Sequence, residues 1–291
     1  MPKPFLKWVG GKTQILEEVI NLFPSEIKNY YEPFVGGGSV LIGMLSKCIP
    51  VSGKIYASDI NTVLIGLYKN IQSNCDELIG EVNTLKQVFT NIAGTTVNRK
   101  PGSIEEATTS PESYYYWIRS EFRKIPEENK MDVRASAMFL FLNKTCFRGV
   151  YREGPSGFNV PFGHYKNPAI LEEDRLRELS VLLKDVIFSN CSFEEALSKL
   201  EPGDFVYLDP PYVPENITSF VGYTSDGFDK HEKLFGICKE MPAKMLLSNS
   251  KVKVVLDSFA DERYKIKIIS CRRTINSRNP ESRIDEVLIT N

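Results

Sequence analysis

Phe205-Val206-Tyr207-Leu208-Asp209-Pro210-Pro211-Tyr212 is the stretch whose reading decides the fold. The first four residues form an apolar run after the turn Pro202-Gly203-Asp204. The run is too short for a typical helix and rich in β-forming side chains, so it reads as a buried strand. Asp209–Tyr212 then stands at the carboxyl end of that strand, where open α/β sheets bind their ligands. Two consecutive prolines fix two φ angles at about −65° and remove two N–H donors. What remains is acceptors, the Asp209 carboxylate and the Pro210 carbonyl, beside a rigidly presented Tyr212 ring. That set suits a flat ring carrying an amino group: the oxygens accept from the amine and the aromatic plate stacks on the ring. The competing reading is a surface turn after a core strand, with Tyr212 used in packing.

Working outward, the flanking segments repeat the strand-then-helix pattern. Tyr30-Tyr31-Glu32-Pro33-Phe34-Val35-Gly36-Gly37-Gly38-Ser39 is a short extended piece ending in glycines, followed by a helical pattern through Val40, Leu41, Met44 and Leu45. Glycines there allow close approach of backbone to a ligand, and the new helix offers free N–H groups to a carboxylate; a plain tight turn fits equally. Ile55–Asn61 reads as a second strand, ending in Asp59 about twenty residues beyond the glycine turn, the usual relation for a carboxylate that binds ribose hydroxyls. Asp59 also suits the N-cap of the next helix. Further strands are expected near 181–192, 245–250, 264–270 and 285–291, with helices at 193–200, 229–240 and 252–260. Alternation of this kind implies a doubly wound, mostly parallel α/β sheet. Gly10-Gly11-Lys12-Thr13 is not a phosphate-binding loop, because position 6 is Leu where that motif needs glycine. The Gly-Gly hinge between Trp8 and Lys12 instead lets a ring and an ammonium reach one ligand. Residues 13–23 read as a helix with Ile15, Leu16, Val19, Ile20 and Phe23 on one face.

A helical and loop block over 62–180 interrupts this alternation and is expected to form a separate lobe, leaving 1–61 and 181–291 as the sheet domain. Helices are expected at 62–92, 114–124 and 131–142. Gly94–Ser113 has no apolar period and is a candidate for a mobile segment. Residues 143–166 interleave aromatics, arginines and turn residues, which suits a hairpin or loop pressed against DNA; a basic, well-packed loop of no fixed partner is the alternative.

At 291 residues, 42% hydrophobic and 25% charged, the composition is that of an ordered globular protein. The net charge of −1 argues against a protein coated in nucleic acid but leaves room for local basic faces. Lys3, Lys7 and Lys12 cluster first; Lys144, Arg148, Arg152, His164 and Lys166 cluster second; Arg263, Lys265, Lys267, Arg272, Arg273, Arg278 and Arg283 cluster third. The six cysteines are scattered, with no CxxC and no paired Cys/His spacing, so neither structural zinc nor a disulfide framework is expected and a reducing setting is. No apolar run is long enough to cross a bilayer. Asn216-Ile217-Thr218 matches a glycosylation pattern, which means little without a secretory signal.

Taken together and in order, Phe5–Lys12 (FLKWVGGK), Glu32–Ser39 (EPFVGGGS), Ser58–Asn61 (SDIN), Leu142–Arg152 (LNKTCFRGVYR), Phe158–Gly163 (FNVPFG), Leu208–Tyr212 (LDPPY) and Asp285–Leu288 (DEVL) resemble the D12 class of adenine-N6 DNA methyltransferases, the Dam-like group. The resemblance implies a Rossmann-like methyltransferase fold with an inserted, mainly helical target-recognition lobe. It implies S-adenosylmethionine as methyl donor and no metal. Trp8, Lys12, Phe34, Gly36, Gly38, Asp59 and Asp209 would hold the donor. Asp209 and Pro210 would accept from the target amine and Tyr212 would stack on its ring. Lys7, Lys144, Phe147, Arg148, Arg152, Asn159, Pro161 and Tyr165 would contact duplex DNA. The adenine would be flipped out of the helix and methylated by direct SN2 transfer, with Asp209 as an ordinary carboxylate (pKa about 4) that orients the amine. The setting would be the cytoplasm of a bacterium, or of a cell carrying a phage or virus, at the nucleoid. A cognate restriction endonuclease would be a genetic, not a physical, partner. Arg148 departs from the group, whose GATC-modifying members usually carry Asn there. GATC, CATG, GTAC and other short sites with a central adenine therefore stay open. A catalytically silent DNA-binding module, or methylation of cytosine N4 or RNA adenine, is the rival reading.

Overall fold

The computed structural model describes residues 5–214, 229–272 and 283–291. Lys3, Arg273, Arg278, the side chain of Arg272 and the Asn216-Ile217-Thr218 pattern lie outside the described residues.

After a 3-10 turn at Lys12–Gln14 comes helix α1 (Leu16–Ile20), then strand β1 (Tyr30–Glu32), helix α2 (Ser39–Ser46) and strand β2 (Ile55–Asp59). The expected helix over 13–23 is shorter than its apolar period suggests, because Phe23 precedes Pro24 and the residue before a proline is pushed out of the helical region. Helix α3 (Thr62–Ser73) follows, capped by the Asn61 side chain, which accepts from the Leu64 N–H. Helix α4 (Cys75–Asn91) comes next. The period over 62–92 reads as one helix, but Asn74, at φ −131° and ψ 35°, breaks it in two.

Gly94–Ser113, the candidate mobile segment, is a tied bracket rather than a loose loop. The Asn98 N–H donates to Ser113 Oγ, Arg99 Nε to Glu112 Oε1 at 2.8 Å, and the Gly102 N–H to Glu106. Helix α5 (Ile104–Ala107) lies inside it, capped by Ser103, and α6 (Pro111–Arg123) starts on Ser110 with a proline in its first turn. Polar caps with no apolar period make a sequence look unstructured while their side chains tie up backbone donors locally. Helix α7 (Val133–Thr145), a two-strand hairpin β3 (Glu153–Gly154) and β4 (Gly157–Phe158), and α8 (Glu173–Leu182) complete this part. Helix α8 has no counterpart in the expectations above; its acidic start, Glu173-Asp174, complements the helix dipole.

The chain then returns to strands: β5 (Val186–Asn190), helix α9 (Phe193–Ala196), β6 (Phe205–Leu208), α10 (His231–Glu240), β7 (Lys244–Ser250), α11 (Lys253–Ser258), β8 (Lys265–Arg272) and β9 (Arg283–Thr290). Seven strands form one sheet in the order β5-β2-β1-β6-β7-β9-β8. All neighbours are parallel except β9, which runs antiparallel between β7 and β8. Strand β6 is central, and all four of its residues are buried, as a parallel strand covered on both faces requires. Val206 and Leu208 join Met245, Leu247, Val287 and Ile289 in one core layer, under Leu234, Phe235 and Phe259. Phe205 and Tyr207 alternate with them and meet the Phe23 ring, at 4.6 and 6.5 Å between centroids. Among the described residues, no helix is long and apolar enough to cross a membrane.

The chain divides into two compact units. The sheet, with Gly11–Ile60 and Asp185–Asn291, is one; residues 5–10 and Asn61–Lys184 are the other.

Candidate active site

In the sheet unit, the corner after β6 is held residue by residue. The Lys12 ammonium lies 2.7 Å from Asp209 Oδ2, with side-chain exposures of 5% and 19%. It also stands over the Tyr212 ring, 4.9 Å from the centroid. His231, first residue of α10, donates from Nε2 to the Pro211 carbonyl at 2.8 Å, which fixes the protonated nitrogen. The Tyr212 hydroxyl donates to Glu286 Oε2 at 2.8 Å. Asn249 Oδ1 accepts from the Val213 N–H at 3.0 Å, and Ser250 Oγ donates to the Val213 carbonyl at 2.6 Å. Asn249 and Ser250 close strand β7 and Glu286 sits opposite Ser250 on β9. Sheet register therefore sets the position of the clamp.

The same corner keeps an acceptor in reserve. Asp209 Oδ1 is buried and has no hydrogen-bond partner among the described residues. Burial pushes the Asp209 carboxyl up from its ordinary value, and the Lys12 ammonium pulls against that rise. The carboxyl is thus not the ordinary one assumed from sequence. Burial also holds the Tyr212 phenol well above its usual range, with the Asp209 and Glu286 charges adding to it, so the hydroxyl stays a donor. Beneath lies Glu32, last residue of β1, buried and accepting from the Tyr30 hydroxyl at 2.6 Å. Burial raises its carboxyl to about 8.

The glycine turn joins β1 to α2. Gly36 and Gly38 stand at φ 46° and 67°, a region that suits glycine. The Gly36 N–H donates to Asp59 Oδ2 at 3.1 Å. Of the two sequence roles for Asp59, capping falls away, since Asn61 caps α3. Ser39 Oγ accepts from the Lys12 N–H at 3.0 Å, tying that lysine to the same turn. Phe34 stacks on Phe193, with centroids 5.5 Å apart. Ile60, next to Asp59, is 65% exposed. Sequence reasoning did not pick out His231, Asn249, Ser250 or Glu286; only Glu286 fell within a quoted motif.

The other unit carries the aromatic-basic segment. Trp8 stacks on Tyr151 at 5.7 Å and meets Phe139 edge-on. The Lys7 N–H donates to Asn143 Oδ1 and the Asn143 amide donates back to the Lys7 carbonyl, at 3.0 and 2.7 Å. The Lys7 ammonium lies 3.7 Å from the centroid of the Tyr165 ring. Phe147 is 48% exposed at the head of a tight turn, with the Arg148 guanidinium 5.2 Å from its ring centroid. Arg148 has φ 56°, a left-handed conformation that costs a non-glycine residue about 1 kcal/mol. The Phe147 N–H is held by the Pro161 carbonyl at 2.8 Å. Arg152, exposed, donates from Nε to Asn159 Oδ1 at 2.6 Å across the hairpin. Lys144 stands apart from these. It is 9% exposed, 3.9 Å from Glu172, and burial lowers its pKa. Among the described residues, no group of three or more His, Cys, Asp or Glu could hold a metal ion.

A mostly parallel sheet with helices between its strands and an acceptor-rich corner beside a glycine turn is a Rossmann-like α/β fold, and similarity to known proteins gives the class of enzyme that carries it here. The family described as D12 class N6 adenine-specific DNA methyltransferase matches residues 8–275, and the chain belongs to that family. It is 39% identical over 306 residues to the Type II methyltransferase M.MjaIII of Methanocaldococcus jannaschii, covering 99% of each chain. It is 30% identical to the DNA adenine methylase of Haemophilus influenzae, covering 97% of this chain and 90% of that one. It is 29% identical to the DNA adenine methylase of Escherichia coli K12, over 98% and 94%. The chain is an adenine-specific DNA methyltransferase.

Proposed function

We propose that the enzyme methylates N6 of the central adenine in a short duplex site, GATC or CATG among the candidates, with S-adenosylmethionine as donor. The observation that carries this reading is the Asp209 carboxylate. One of its oxygens is engaged by Lys12 and the other is buried with no hydrogen-bond partner among the described residues, beside a tyrosine ring fixed at both ends. A buried acceptor that the protein leaves unmatched calls for an explanation, and an amino group supplies it. The residues also suit the donor, which brings a transferable methyl on a positively charged sulfur, an amino-acid end and a ribose. Within the sheet unit, Asp59 and Asp209 favour a cation, the N-terminus of α2 favours a carboxylate, and Phe34 and Lys12 offer ring and ammonium contacts.

In the reaction, Asp209 Oδ1 and the Pro210 carbonyl accept from the adenine amine and aim its lone pair, while Tyr212 holds the ring. The base reaches them only by leaving the stack, since a paired amine is out of reach. Asp209 acts as an acceptor that orients the amine. As the N–C bond forms, the methyl–sulfur bond of the donor would break to leave a thioether. The proton of the cationic amine passes to water, and no covalent enzyme intermediate forms. In the second unit, Lys7, Asn159 and Tyr165 are proposed to position the backbone, Phe147 and Pro161 to contact the bases, and Arg148 and Arg152 to read guanine edges. Lys144, buried against Glu172, is the weakest of the proposed contacts. The enzyme acts on intracellular DNA, and the Type II names of relatives favour a restriction endonuclease as genetic partner. Transfer of labelled methyl to DNA by the wild type and by Asp209→Ala tests the reading. Equal turnover by the two would remove it.

A further inference from the structure

We propose that Glu286, to which nothing above gives a role in the reaction, is a positioning residue for methyl transfer. The proposal rests on the reading that Tyr212 stacks on the target base. A tyrosine ring has two freedoms that matter to a stacked partner, the direction of its long axis and rotation about that axis. The long axis is fixed where both ends are fixed. At the near end, Asn249 and Ser250 hold the N–H and carbonyl of Val213, the residue after Tyr212, at 3.0 and 2.6 Å. At the far end the hydroxyl is 2.8 Å from Glu286 Oε2. Rotation is limited from the side, where the Lys12 ammonium stands over the face. Of the two groups that meet the ring itself, Lys12 is paired with Asp209, whereas Glu286 bonds the ring's hydroxyl. It reaches the ring from β9, the antiparallel strand, where it pairs with Ser250 on one side and Ile269 on the other. Its carboxylate also faces the Cys271 thiol, whose pKa burial pushes to about 12, with the Glu286 charge adding to the rise. The thiol therefore stays neutral and sets no second negative charge beside the carboxylate. Without the carboxylate the ring axis swings by the slack of one side chain, and misplacement on that scale costs roughly 10- to 100-fold in rate.

Four variants, Glu286→Leu, Glu286→Gln, Tyr212→Phe and the Leu/Phe double, are to be compared for kcat and for KM toward S-adenosylmethionine, with Tyr212→Ala as control. Glu286→Leu and Tyr212→Phe are each expected to lower kcat roughly 10- to 100-fold with little change in that KM. The double is expected to be no worse than either single, because both remove one bond. Glu286→Gln, whose amide oxygen still accepts, should recover most of the rate. With 2-aminopurine at the target position, Glu286→Leu should leave the extruded base brighter than the wild type does, since stacking on a fixed ring quenches it. Wild-type kcat in Glu286→Leu or in Tyr212→Phe overturns the proposal, as does a double mutant whose losses multiply. Should Glu286→Leu fail to fold, Tyr212→Phe and Glu286→Gln decide the matter by the same criteria. An active Tyr212→Ala would instead remove the stacking reading itself, whatever Glu286 does.

Discussion

Lys12 and Asp209 hold one another at 2.7 Å in a place where either alone would be a costly buried charge. This has two consequences. Asp209→Ala should abolish transfer, by about 100-fold or more, the scale of losing a preorganised group at a reacting centre. It also strands an ammonium, so Asp209→Asn, which keeps the volume and one acceptor, belongs beside it; denaturation midpoints separate the two effects. Lys12 also lowers the Asp209 carboxyl against the rise that burial causes. Lys12→Met should therefore move the acid limb of the kcat profile to higher pH, and a limb that stays put or moves down contradicts that assignment. Glu32 gives a second titration, this time in stability. Its folded pKa, about 8, lies above its ordinary value of 4.5. The folded state thus holds a proton that the unfolded chain releases, and stability is lost as pH rises from that ordinary value through the folded one. Glu32→Gln, which still accepts from Tyr30, should match the wild type near pH 5 and exceed it near pH 9. The gain in midpoint should be on the order of 5 °C, read by thermal unfolding across that range.

At the scale of elements, period and punctuation carried most of the information. Strand β6 and its corner were visible because a run of apolar, β-forming residues ends abruptly in two prolines. The glycine turn and Asp59 were visible by their spacing. What stayed hidden depended on tertiary partners. Helix α8 is amphipathic only weakly and begins in acids that read as surface. Gly94–Ser113 takes its order from Ser and Glu side chains that satisfy backbone groups across the bracket. Lys144 counts as basic surface in sequence, yet α7 turns it inward toward Glu172. His231, Asn249 and Glu286 reach the corner from α10, β7 and β9, and no local pattern links them to Asp209. A helix-scale prediction follows from Gly66 in α3. Alanine there ordinarily steadies a helix by up to about 1 kcal/mol. Here its Cβ would lie 2.7 Å from the Met131 backbone Cα and 3.2 Å from the Lys130 carbonyl. Gly66→Ala should therefore destabilise, by roughly 1–3 kcal/mol, and a stabilised variant in chemical denaturation would contradict the packing.

For the molecule as a whole, a net charge of −1 sits with DNA as substrate because charge is distributed unevenly. Arg148 and Arg152 are exposed on the turn and hairpin after α7, and the proposed base-reading role for them is open to test. Replacing Arg152 by Ala should relax discrimination at one base pair by about 1–3 kcal/mol. Replacing Arg148 by Asn should alter preference at a neighbouring pair, both read from methylation of a randomised duplex library. Uniform weakening over all sequences would make them phosphate contacts instead. The most direct test of the central claim, that the Asp209 corner transfers methyl to adenine N6 within one short duplex site, is base-resolved modification sequencing of DNA from a host expressing the wild type or Asp209→Ala. The account predicts N6-methyladenine at the central adenine of a single short motif with the wild type, and none with the variant. Methyl groups on cytosine, or an identical pattern from both proteins, would contradict it.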